Sequence, residues 1–205
     1  MPQVYVLFWL FLIMIMMAGL NIAMGRLASV TAPPDITDLP DLYRHINPER
    51  FLELLDSLMD DASQPVLSRD QFCIMQRKRL LKVREYLQRL NHNAILVFQI
   101  AWEAKLREEN QPAEQRNPRN LQCFQELVYA SFDLGWYARA GLLRIKFWLL
   151  VRTHPWSPLP PPRLADLKKI KKFDFVSGYS RYKEAVGNYG LIYSREFREA
   201  LMLLL

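Results

Sequence analysis

Residues 68–109 read SRDQFCIMQRKRLLKVREYLQRLNHNAILVFQIAWEAKLREE, 42 residues with neither proline nor glycine. The opening Ser68-Arg69-Asp70-Gln71 matches a capping box, in which Ser68 caps the first turn and Gln71 reaches back to it. Small or apolar residues then fall at Cys73, Leu80, Val83, Leu87, Leu90, Ala94, Val97, Ala101 and Ala104, with polar Gln76 in the one gap. Alternating steps of three and four place them on one stripe, the seam of a coiled coil or long helical hairpin. A second stripe, Ile95, Phe98, Trp102 and Leu106, widens the apolar arc in the C-terminal half, which predicts burial there on more than one side. His92, between Asn91 and Asn93, reads as a polar core residue or a solvated edge.

Gln111 to Asn120 is a polar turn containing Pro112 and Pro118, and a second long helix is expected from about Arg119 to Arg152. Its seam is Leu121, Phe124, Val128, Ser131, Gly135, Ala138, Leu142, Ile145 and Leu149. Two long helices joined by a short turn make an antiparallel hairpin. The expected register sets Val83 opposite about Leu142, with Ser131, Gly135 and Ala138 permitting close approach. It also sets Cys123 near residue 102, about 43 Å of helix from Cys73, too far for a disulfide. Both thiols are therefore expected to be free, in keeping with a reducing compartment.

Upstream, Asn47 and Pro48 suit the cap and first position of a short helix whose apolar face is Phe51, Leu52, Leu54, Leu55 and Leu58. Before it, residues 27–46 carry Pro33, Pro34 and Pro40 and read as an extended tether. Downstream, residues 154–162 (HPWSPLPPP) read as a stiff proline-rich connector. Short helices are expected over 163–205: one at Leu164–Lys172, then about Tyr179–Val186 and Ser194–Leu205, punctuated by Gly178, Gly187 and Gly190. The closing Leu-Met-Leu-Leu-Leu is too apolar to dangle and is expected to dock.

Val4 to Met24, VYVLFWLFLIMIMMAGLNIAM, is 21 residues without a charge. A hydrocarbon core of about 30 Å takes about 20 helical residues, so residues 1–26 read as a single transmembrane anchor. A cleaved signal would start with basic residues and have a shorter apolar run, whereas this chain starts Met-Pro-Gln. Gly19 and Asn21 are candidates for an intramembrane contact with a neighbouring helix. Arg26 follows the span and no basic residue precedes it, which points the C-terminal bulk to the cytoplasmic or matrix side of a bacterial or organellar inner membrane. Leu142 to Val151 is too short for a second span and carries Arg144 and Lys146, so it reads as a core or interfacial helix.

The net charge of +6 is unevenly laid out. Residues 26–75 hold 4 Lys/Arg against 9 Asp/Glu, net −5, and residues 76–205 hold 23 against 12, net +11. Two basic clusters stand out as a possible contact surface: Arg77, Lys78 and Lys82 on the first long helix, and Lys168, Lys169, Lys171 and Lys172 beside Phe173 and Phe175. The three histidines show no metal-ligand spacing, neither cysteine lies in a Cys-x-x-Cys, and no phosphate-cradling glycine motif occurs. No catalytic, cofactor or metal residue is assigned, and an enzyme is disfavoured. The chain thus reads as all-α, an N-terminal transmembrane helix plus a soluble helical domain built on a long hairpin (about 68–109 and 119–152, within 47–153). The expected role is a non-catalytic single-pass accessory or scaffold subunit, partnered by integral membrane protein subunits. The alternative is a membrane-tethered module that binds anionic lipid or nucleic acid through basic helix faces, nucleic acid being the less favoured of the two.

Overall fold

The computed structural model describes residues 39–56, 67–152, 162–170 and 173–205. Short helices α1 (Leu39–Leu42) and α2 (Pro48–Leu54) precede the long α3 (Arg69–Glu109) and α4 (Pro118–Phe147), which continues as a π-helical turn, Trp148–Arg152. The capping box is present, with the Gln71 amide donating to Ser68 Oγ (3.4 Å) and the Ser68 amide donating to Gln71 Oε1 (3.2 Å). Every seam residue of α3 from Cys73 to Ala101 is buried, Gln76 included, and the α3–α4 contact is the most extensive in the fold. These described parts belong to a compact unit spanning Asp35–Leu205, and they are mainly helical.

The second helix starts one residue earlier than its apolar pattern suggests. Asn117 caps it through the Arg119 amide (3.0 Å) and Pro118 fills the first position, whose missing N–H costs nothing there. The buried Glu108 carboxylate accepts from the Asn117 amide at 2.6 Å, which ties the end of α3 to the start of α4. The hairpin register is fixed by small residues. A Cβ added at Gly141 would lie 2.8 Å from Leu87 Cδ1, and one at Gly135 would lie 3.5 Å from Ala94 Cβ. Residues 87 and 141 therefore face each other, about one helical turn from the expected Val83–Leu142 level. Both cysteines are free thiols, Cys73 buried and Cys123 half-buried.

Several expectations need correction. Leu39–Leu42, inside the stretch read as extended, forms a helical turn because Leu39, Tyr43 and Ile46 are all drawn into the core. Leu164–Leu167 is a 3₁₀ turn, and Lys169–Ile170 pairs antiparallel with Phe173–Asp174 as β1 and β2, so no helix reaches Lys172. One helix, α5 (Phe175–Tyr193), passes through all three glycines read as breaks; α6 (Arg195–Leu204) follows. The glycines are there for approach: a Cβ at Gly178 would overlap the Phe173 ring, and one at Gly190 would lie 2.9 Å from the Arg198 backbone. Leu201 and Leu205 are buried, and the Tyr179 hydroxyl donates to the Leu205 carbonyl at 2.8 Å, so the apolar end docks as expected.

The stretches 1–38, 57–66, 153–161 and 171–172 lie outside the described residues, and with them the proposed span, Gly19, Asn21, most of the tether and connector, Lys171 and Lys172. Among the described residues no helix is long and apolar enough to cross a membrane.

Candidate functional site

The site follows from the rotation of each helix past its seam. A residue one position after a seam residue is turned by about 100°, and in an antiparallel pair these positions on both helices fall on the same flank. On α3 they are Ile74, Arg77, Leu81, Arg84, Gln88, Asn91, Ile95, Phe98 and Trp102. On α4 and its π turn they are Tyr129, Phe132, Trp136, Arg139, Leu143, Lys146 and Leu150. A hydrogen bond from Arg139 Nε to Asn91 Oδ1 (3.1 Å) crosses between the two sets and confirms that they share a flank.

The opposite flank, one position before the seam, is covered. There Leu127, Leu134 and Tyr137 of α4 are buried, Phe124 meets Tyr189 edge-on at 5.7 Å, and Tyr137 stacks on Phe173 at 4.8 Å. The Tyr137 hydroxyl donates to the Leu167 carbonyl at 2.7 Å, and burial raises its pKa above the usual tyrosine value. On α3 the same flank buries Leu96, Ile100 and Asn93; Asn93 takes the Arg44 amide (2.9 Å) and returns a bond to its carbonyl (2.7 Å). Beside it His92 Nε2 meets the Leu42 carbonyl at 3.2 Å, so His92 and Asn93 hold the α1–α2 segment while Asn91 accepts from Arg139 across the hairpin.

The flank after the seam carries the exposed apolar surface. Tyr129, Phe132 and Trp136 expose 59, 57 and 53% of their surface, and Leu143 and Leu150 expose 67 and 77%. Their spacing, continued by Phe147, keeps them within one narrow stripe of α4. Trp102 and Leu106 of α3 are exposed as well, while Ile95 and Phe98 are half-buried. This corrects the expectation that the Ile95–Leu106 stripe is a second buried side: the additional burial comes from Leu96 and Ile100, on the other flank, where the rest of the chain packs.

The face has two ends, divided by the Asn91–Arg139 bond. Toward the hairpin loop it is aromatic, with Phe98 stacked on Trp102 (6.1 Å) and the Lys105 ammonium 5.1 Å from the Trp102 ring. Toward the open end, bases alternate with aliphatic side chains. Arg77 is exposed there, as is Lys146 across on α4; Lys78, two positions past Gln76, is exposed on the outer side of α3, and exposed Lys82, one position before Val83, falls toward the opposite flank. Arg79, between them in sequence, turns instead to the Leu54 and Asp56 carbonyls at 2.9 and 3.1 Å. Of the second cluster, only Lys168 has a described side chain, and it lies away from this surface. Half-buried Lys168 precedes β1, whose Ile170 lies near Gly141 on the covered flank, and Arg144 on that flank donates to the Asp166 carbonyl at 3.1 Å. Lys169 sits in β1; Lys171 and Lys172 are outside the described residues.

No family model, curated protein or solved structure matches this chain.

Among the described residues no group of three His, Cys, Asp or Glu side chains is placed to hold a metal ion. An open groove of about 460 Å³ is lined by Arg44, His45, Glu85, Gln88 and Arg89, in which Arg89 is engaged by the Glu85 carboxylate and the His45 carbonyl. The Cys123 thiol is pushed up by burial and by the Glu126 carboxylate, which lowers its thiolate fraction and nucleophilicity. Sequence reasoning missed the α4 half of the face. Its signal was present in the heptad-like spacing of Tyr129, Phe132, Trp136, Leu143 and Leu150, one step off the seam.

Proposed function

We propose that this chain is a non-catalytic, single-pass accessory or scaffold subunit of a larger membrane protein complex. In this reading Val4–Met24 anchors it in a bacterial or organellar inner membrane, with Gly19 and Asn21 available to a neighbouring helix and the helical part on the cytoplasmic or matrix side. The hairpin docks on integral membrane subunits through the aromatic end of its exposed face. The observation that carries the proposal is that face itself: Tyr129 and Phe132 stand more than half exposed on the one hairpin flank that the described part of the chain leaves open. Contiguous exposed apolar surface of this kind marks interaction sites, and aromatic side chains there dominate binding energy.

The test is gentle detergent extraction of the full chain with a C-terminal affinity tag, followed at high salt by identification of co-migrating proteins. A defined set of membrane proteins retained at high salt is expected. The paired substitution Tyr129→Glu and Phe132→Glu should lose that set by at least about ten-fold while leaving thermal stability within about 0.5 kcal/mol, because both side chains are exposed. A chain that migrates alone, or a variant that keeps its partners, contradicts the proposal.

A further inference from the structure

We infer that the open end of the hairpin face is a docking surface for an anionic lipid bilayer. The inference rests on the anchored reading above, but on different residues from those assigned to the protein partner. Arg77, Arg84 and Lys146 alternate here with Ile74, Leu81, Leu143 and Leu150, and these four aliphatic side chains are exposed. None of these bases takes part in an ion pair among the described residues. By contrast, Arg89 and Lys105, elsewhere on α3, pair with Glu85 and Glu109. From Ile74 to Trp102 and from Tyr129 to Leu150 the flank after the seam bears no Asp or Glu at any position.

That composition selects the occupant. A second copy of the same face would set base against base. A nucleic acid would satisfy the bases and leave Leu81, Leu143 and Leu150 in water. An anionic bilayer surface offers both halves: phosphate at the headgroup level for the bases, and an acyl boundary about 5–10 Å deep for the aliphatic tips. Each base near such a surface strengthens binding about five-fold at physiological salt. Chain length agrees, since the 14 residues between Met24 and Leu39 reach at most about 50 Å when fully extended.

The experiment reconstitutes the full chain in nanodiscs of phosphatidylcholine alone or with about one-third phosphatidylglycerol. A photo-cross-linking phenylalanine analogue replaces Leu81 or Leu150, and the adducts are identified by mass. Lipid adducts are expected in the anionic discs at least about five-fold above the neutral ones, falling at high salt. Arg84→Glu with Lys146→Glu should remove them while leaving the melting temperature and the protein partners of the Tyr129–Phe132 end unchanged. Equal adducts in both discs, no lipid adducts in either, or adducts to protein alone would overturn the inference without touching the proposed function. A chain that fails to enter the discs overturns the anchored reading and this inference together.

Discussion

Leu87→Ala is expected to cost about 3 kcal/mol, and adding Gly141→Ala to it should return about 1 kcal/mol. Leu87 is fully buried at the centre of the hairpin, and its Cδ1 and Cδ2 atoms would lie 2.8 and 3.4 Å from a Cβ at Gly141. Truncation removes apolar area and leaves a cavity on a seam whose neighbours Val83 and Leu90 are already fully enclosed, so little collapse is available. In the wild-type background Gly141→Ala gains helix propensity but drives a methyl into Leu87. In the Leu87→Ala background the propensity gain remains and the clash disappears, so the two substitutions must couple. Chemical denaturation of the four proteins of this cycle checks it. Strict additivity would mean that residues 87 and 141 do not face each other, and the hairpin register would be wrong.

Stability should fall steeply once the pH passes about 10. Tyr43, Tyr137, Tyr179, Tyr182 and Tyr189 are all held above the ordinary tyrosine range, first of all by burial, and Tyr179 is pushed up to about 12. Below pH 10 these phenols are protonated in both folded and unfolded chains and contribute no slope. Above it the unfolded chain ionises while the fold stays protonated, so the fold binds more protons and loses stability as pH rises. Between pH 10 and its folded value, each such tyrosine removes about 1.4 kcal/mol per pH unit. Tyr137 and Tyr179 also lose donors, since their hydroxyl protons go to the Leu167 and Leu205 carbonyls. Urea titrations between pH 8 and 11.5, with phenolate absorbance followed in parallel, measure the slope. Unchanged stability at pH 11 contradicts it.

The legible parts of the fold were those written locally. The Ser68–Gln71 capping box, the Asn47-Pro48 start and the seam of α3 are all set by residues a few positions apart, and each is found as read. What sequence could not decide was which flank of the hairpin the rest of the chain would cover. Both flanks offer apolar stripes at helical spacing: Leu96 and Ile100 on one, Ile95, Phe98 and Trp102 on the other. The choice is made by distant residues such as Arg44 bonding to Asn93 and Tyr189 packing on Phe124. For the same reason sequence could not say where the basic residues stand: Arg77 falls on the open flank, whereas the β1–β2 pairing brings Ile170, two residues after Lys168, beside Gly141 on the covered one. Glycine was misread as punctuation at Gly178 and Gly190, where its role is to admit the Phe173 ring and the Arg198 backbone.

The central claim is that the flank bearing Tyr129, Phe132 and Trp102 is covered when the chain sits in its own membrane. Hydroxyl-radical footprinting of native membranes against the chain isolated in detergent tests it most directly, with Tyr193, half exposed on α5, as the internal reference. The account predicts that Tyr129, Phe132 and Trp102 react several-fold less in membranes than in detergent while Tyr193 reacts equally in both. Equal reactivity of all four in the two preparations would contradict it.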